Sequence, residues 1–151
     1  MGVRKRLAEL GIELPPASVP VASYVPVRVA GGLAFVAGQI PLDDGRPILT
    51  GRIGKDLSVE QGAEVARRCA LQTLAVLDDH VGLDRVTGIA KVTVFVASPE
   101  GFTEQSKVAN GASDLFVEVF GDAGKHARVS VSAPALPLGV PVEVETVAEL
   151  T

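Results

Sequence analysis

A chain of 151 residues has room for one domain that buries roughly two thirds of its unfolded surface without a metal or disulfide staple. Its 18 acidic against 14 basic residues give a formal charge of -4, which excludes a broad polyanion-binding surface, since such surfaces rest on clustered Lys and Arg. One cysteine excludes an intrachain disulfide, and one cysteine with two histidines forms no CxxC or HExxH metal constellation.

The first element in chain order is VRKRLAELG, where Val3, Leu7 and Leu10 fall at helical spacing and Gly11 ends the run. The cluster Arg4, Lys5 and Arg6 is the solvated face of this short helix, which opens an N-terminal extension over about residues 1–20. No apolar signal region follows these charges, and the most helical apolar segment is interrupted by Arg67 and Arg68. A single-domain cytoplasmic protein with no membrane segment is expected. LPPASVP reads as an extended lead-in. Two β-rich runs, residues 24–29 and 33–37, then flank Ala30, Gly31 and Gly32 and predict a hairpin.

Gly38 leaves the second run directly, either as a strand exit or as a place of close backbone approach. DDGRPILTGRIG predicts a loop with one brief strand over residues 47–49. Ser58 opens a long helix: Ser58 and Gln61 have capping-box spacing, and Ala63, Ala66, Ala70, Leu74, Leu77 and Val81 trace an apolar face. Cys69 sits in this pattern as a small, partly buried side chain rather than a nucleophile. VTGIAKVTVFVAS predicts a long strand from Val86. Between Phe102 and Gly121 the spacing of Val108, Ala112, Leu115, Phe116 and Val119 is helical, with Asn110-Gly111 as a local weak point. Two closing strands, residues 128–133 and 140–147, form a final pair joined by the proline-rich PALPLGVP.

Within HARVSVSAPALPLGVPVEVE, Arg128, Ser130 and Ser132 alternate with Val129, Val131 and Ala133, and Glu143 and Glu145 alternate with Val142 and Val144. Two readings stand. One is a sheet wet on its polar face; the other is a site where a guanidinium and a carboxylate converge. His126, ahead of the strand, reads as surface. Two helices cover one face of such a sheet, so the other is wet or covered by a partner, and its small and β-branched residues favour a partner.

Taken together, Tyr24 before GGLAFVAGQIPL, then KVTVFV, LFVEVFG, ARVSV and LPLGVPVEVE, in this order and spacing, resemble the RidA (YjgF-type) reactive-intermediate deaminases. The likeness runs from about Tyr24 to the C-terminus. It implies an α+β, chorismate-mutase-like mixed sheet with two main helices on one face, assembled as a homotrimer with clefts between subunits. It also implies hydrolysis of enamines and imines to 2-keto acids and ammonia, with no cofactor or metal. By position, Arg128 resembles the family's substrate-carboxylate arginine and Glu143 its water-orienting acid. Tyr24 resembles a tyrosine lining the cleft from a neighbouring subunit, and Gly38 a backbone contact. Ser130 stands where the family often has cysteine, and Ala37 where it often has serine, which puts substrate and rate in question more than reaction class. Each has a plainer alternative: a surface ion pair for Arg128 and Glu143, a packed aromatic for Tyr24, a small sheet residue for Ser130. A second function is a trimeric protein that binds small carboxylates without turnover. RNA cleavage, attached to some members by name, finds no basic groove and no paired histidines here.

Overall fold

A computed structural model describes residues 2–151. The first helix, α1 (Val3–Leu10), buries Val3 and Leu7 and stops at Gly11, whose φ of 66° is a left-handed C-terminal cap. The hairpin is β1 (Val27–Ala30) with β2 (Leu33–Gln39), paired antiparallel through Gly31 and Gly32, both at positive φ as a two-residue primed turn requires. Its first strand begins at Val27, not Tyr24, because Pro26 precedes it and Tyr24 lies in a bend. The following tract holds a second small hairpin, β3 (Leu42–Asp43) with β4 (Arg46–Pro47), turning at Asp44-Gly45. The single strand expected over residues 47–49 gives way to this Asp-Gly turn.

The long helix α2 (Val59–His80) starts with the expected capping box: Gln61 N donates to Ser58 Oγ at 3.1 Å, and Ser58 N donates to Gln61 Oε1 at 2.9 Å. The strand β5 (Val86–Ala97) and the helix α3 (Gln105–Phe120) follow. Gly111 is no weak point in α3. A Cβ there would run into the backbone of Ala63, 2.7 Å from its carbonyl carbon and 2.9 Å from its Cα, so the glycine allows α2 and α3 to cross closely.

The closing strands β6 (Ala127–Ala133) and β7 (Val142–Leu150) do not pair with each other. The five-stranded sheet runs β1-β2-β7-β5-β6, with β7 antiparallel between β2 and β5 and β6 parallel to β5 at the edge. A parallel neighbour needs a crossover, and α3 supplies it. Val92, Val94, Val96, Val142, Val144 and Ala148 point toward the helices, where they meet Ala66, Ala70, Leu74, Leu77, Leu115 and Phe116 in one fully buried core. Among the described residues, no helix covers the other face of the sheet. This is the expected α+β mixed sheet with its two main helices on one face.

Candidate functional site

Strand register sets which side chains share a face. Glu143 pairs with Phe95, and Phe95 with Val131, so these three lie in one row on the open face. Arg128 pairs with Val92, a fully buried residue that faces the helices. Arg128 and Glu143 therefore leave the sheet on opposite sides, and within one chain the guanidinium and the carboxylate do not converge.

The alternation also has opposite meanings in the two strands. In β7 the polar residues Glu143 and Glu145 face the open side while Val142 and Val144 are buried, as expected. In β6 it is Val129 and Val131, 45% and 40% exposed, that face outward. Arg128, Ser130 and Ser132 turn toward α3 instead, because that helix meets the edge strand with a polar stripe, Ser106, Asn110 and Ser113, at positions i, i+4 and i+7. Arg128 Nη1 donates to Asn110 Oδ1 at 2.8 Å and to Ser113 Oγ at 3.0 Å, and Nη2 lies 3.5 Å from Ser106 O. Ser132 Oγ lies 2.6 Å from Ser98 Oγ and accepts from Gln105 Nε2 at 2.9 Å. Ser130, half-buried, lies between them on the same face.

His126 is not a free surface residue. Its Nδ1 lies 2.7 Å from Gly124 O and its Nε2 2.8 Å from Ser113 Oγ, and its ring stands edge-on to Phe116 at 5.9 Å. Burial, opposed by the Gly124 hydrogen bond and assisted by the charge of Arg128, holds its pKa below the ordinary histidine value.

Gly38 and Glu143 meet on the open face. Val36 pairs with Thr146 and Gln39 with Val144, so Ala37 and Gly38 together oppose the single residue Glu145 in a β-bulge. The bulge carries Gly38 against Glu143: a Cβ there would overlap Oε1 and come within 3.0 Å of Cδ. Desolvation first, and the neighbouring Glu145 charge second, raise the Glu143 pKa above the usual carboxylate value.

Ala37, Gly38 and the half-exposed Tyr24 also line a cleft of about 570 Å³ under residues 16–21. Its floor comes from α2. Gln72 accepts from Leu42 N at 3.0 Å and donates to Ile40 O at 2.6 Å, while Arg68 Nη2 donates to Leu42 O at 2.9 Å. Arg68 and Gln72 escaped the sequence reading, although their i, i+4 spacing beside the apolar face of α2 was a usable signal, as was the polar stripe of α3. Cys69 is fully buried, with its thiol pKa pushed up mainly by desolvation, which suits a packed side chain. Among the described residues, no group of three His, Cys, Asp or Glu could hold a metal ion, and no helix is long and apolar enough to cross a membrane.

The family description "YjgF/chorismate mutase-like, putative endoribonuclease" matches residues 4–150. The chain belongs to this YjgF family. It is similar to Protein TCP17 of Trypanosoma cruzi, 45% identical over 150 residues covering 98% of this chain and 94% of that one. A RutC family protein of Aquifex aeolicus is 32% identical over 137 residues, covering 91% and 96%. The crystal structure of Atu1372, a protein with unknown function from Agrobacterium tumefaciens, superposes with a TM-score of 0.89 at 37% identity, covering 99% of this chain and 92% of that one. The match to the YjgF family spans residues 4–150 and so takes in most of α1.

Proposed function

We propose that this protein hydrolyses reactive enamines and imines of 2-keto acids, releasing the keto acid and ammonia, in clefts between the subunits of a homotrimer. The observation that carries the reading is the half-buried Glu143 carboxylate, held against the bare backbone of Gly38 with a raised pKa. A carboxylate in that state is a suitable base for one water molecule. Arg128 supplies the complementary group: a planar fork that holds a substrate carboxylate through two charge-assisted hydrogen bonds. Because the two lie on opposite faces of the sheet, a site using both takes Arg128 from the edge strand of one copy and Glu143 from the open face of the next.

The enamine carbon takes up a proton to give an iminium. Water, losing a proton to Glu143, adds to the neighbouring C=N carbon; that proton passes to nitrogen, the C–N bond breaks, ammonia leaves, and the remaining hydroxyl gives up its proton as the C=O forms. The substrate is already electrophilic, so orientation and one base suffice and no covalent nucleophile is required. The wholly buried Cys69 is consistent with that. The acidic charge balance gives no support to RNA binding.

Ala37 favours a second reading, a protein that binds small carboxylates without turnover, since a methyl group there can hold neither substrate nor water. One experiment separates the two: 2-iminobutanoate is generated in situ and keto-acid formation is followed with and without the protein. Acceleration supports hydrolysis. Binding of 2-oxobutanoate with no acceleration supports the binding protein.

A further inference from the structure

We infer that His126, acting through Ser113, is a positioning residue that fixes the guanidinium of Arg128 for carboxylate binding. The inference rests on the reading of Arg128 as the carboxylate anchor. Gly124 O can only accept, so the hydrogen of neutral His126 sits on Nδ1 and donates to it across 2.7 Å. That leaves Nε2 as an acceptor, and the Ser113 hydroxyl donates to it across 2.8 Å. With its one hydrogen committed, Ser113 Oγ presents lone pairs, and one accepts from Arg128 Nη1 at 3.0 Å. The direction of every hydrogen bond is thus set from the backbone carbonyl of Gly124 outward to Arg128.

The chain of bonds has a consequence at the guanidinium. Nη1 has two hydrogens, and Asn110 Oδ1 and Ser113 Oγ occupy both, at 2.8 and 3.0 Å. Among the described residues, the only other hydrogen bond of the guanidinium is the marginal one from Nη2 to Ser106 O at 3.5 Å. The edge formed by Nε and Nη2 remains as the parallel pair of donors that a carboxylate needs. An arginine side chain otherwise has several rotatable bonds to immobilise, so fixing it before the ligand arrives removes an entropic cost of binding. His126 itself is fixed by its edge-on packing against the fully buried Phe116, which lies in the core cluster. Rigidity therefore passes from the core to the binding group.

The test uses the full-length protein and three variants: His126→Phe, which keeps the ring and loses the acceptor; His126→Gln, whose amide oxygen can replace Nε2; and Ser113→Ala. The readouts are KM and kcat for 2-iminobutanoate hydrolysis, and calorimetric Kd for 2-oxobutanoate. His126→Phe and Ser113→Ala should raise KM and Kd about fivefold to tenfold, the equivalent of one hydrogen bond, with kcat little changed. His126→Gln should restore both to within about twofold of wild type. Combining His126→Phe with Arg128→Lys should be non-additive in urea midpoint and, where binding is measurable, in Kd, since both changes break one network. Additive effects, a His126→Gln that behaves like His126→Phe, or a stability loss with unaltered Kd would each overturn the inference. A wild type that neither binds nor hydrolyses, yet shows the non-additive midpoints, would instead overturn the site reading and leave the His126–Ser113–Arg128 coupling standing.

Discussion

The backbone of Gly38 and the carboxylate of Glu143 occupy adjoining space: a single added methyl group on Gly38 would overlap Oε1. Gly38 has no positive φ to explain its identity, so the close approach of the carboxylate is the reason for glycine at this position. Gly38→Ala should leave the fold intact and push Glu143 aside. Displacing a reacting group by about 1 Å costs on the order of 100-fold in rate, so 2-iminobutanoate hydrolysis should drop by about that factor while the circular-dichroism melt moves little. An active Gly38→Ala protein would remove Glu143 from the mechanism.

The Gly38 contact was visible in the sequence only as one of two alternatives, because a glycine after a strand says nothing about which distant side chain it admits. Helix starts and apolar faces were legible where the signal is local: the Ser58–Gln61 box and the 3.6-residue spacing of α2 and α3. Strand partners were not, since β6 and β7 are neighbours in sequence but are separated by β5 in the sheet. The same limit governs the face of Arg128. A period of two shows that Arg128 and Val129 point apart, but only the polar stripe of α3 decides that the arginine faces the helix layer and the valine faces outward.

Glu143 acts as a base only when ionised, and its pKa is raised, first by desolvation and second by Glu145. The sign follows directly: activity should be absent at low pH and rise through a midpoint above the ordinary glutamate value of about 4.3. Glu145→Gln removes the second cause, so the ascending limb of kcat/KM should move to lower pH. Glu143→Gln should remove the limb altogether and lower kcat more than it weakens 2-oxobutanoate binding. A limb that ignores Glu145→Gln would place the essential base elsewhere.

Ala37 stands in the bulge beside Gly38, half-buried at the rim of the cleft. Ala37→Ser adds one oxygen and is structurally mild. Hydrolysis of 2-iminobutanoate should be preserved or raised, as measured by keto-acid formation. Abolished activity in a folded, assembled variant would show that this cleft serves a bulkier or more apolar ligand.

Phe35, Val129 and Val131 stand 40–45% exposed on the helix-free face of the sheet; they argue for a covering partner, and the resemblance to the RidA family makes that partner the other copies of a homotrimer. Light scattering at micromolar concentration should give three times the chain mass. Val131→Lys puts an unpaired charge into that surface and should shift the mass toward one chain while far-ultraviolet circular dichroism is retained. A monomeric wild type would sink both the assembly and any site shared between copies.

Arg128 makes the most demanding prediction, because its surroundings assign different losses to different substitutions. Arg128→Lys keeps a charge but not the planar fork, and a single ammonium cannot both bond Asn110 and Ser113 and offer two parallel donors to a carboxylate. Arg128→Ala removes charge and fork together. Imine hydrolysis should therefore fall in the order wild type, Lys, Ala, with the alanine loss near 100-fold, the equivalent of about 3 kcal/mol of transition-state stabilisation. Stability should fall as well, but modestly. The alanine variant leaves Asn110 Oδ1 and Ser113 Oγ without their donor, yet at a half-exposed site water can replace it, and no core cavity opens. The melting temperature should thus drop by only a few degrees while activity collapses. If Arg128→Ala unfolds the protein, the network with α3 is chiefly structural; if hydrolysis is untouched, another residue is the carboxylate anchor.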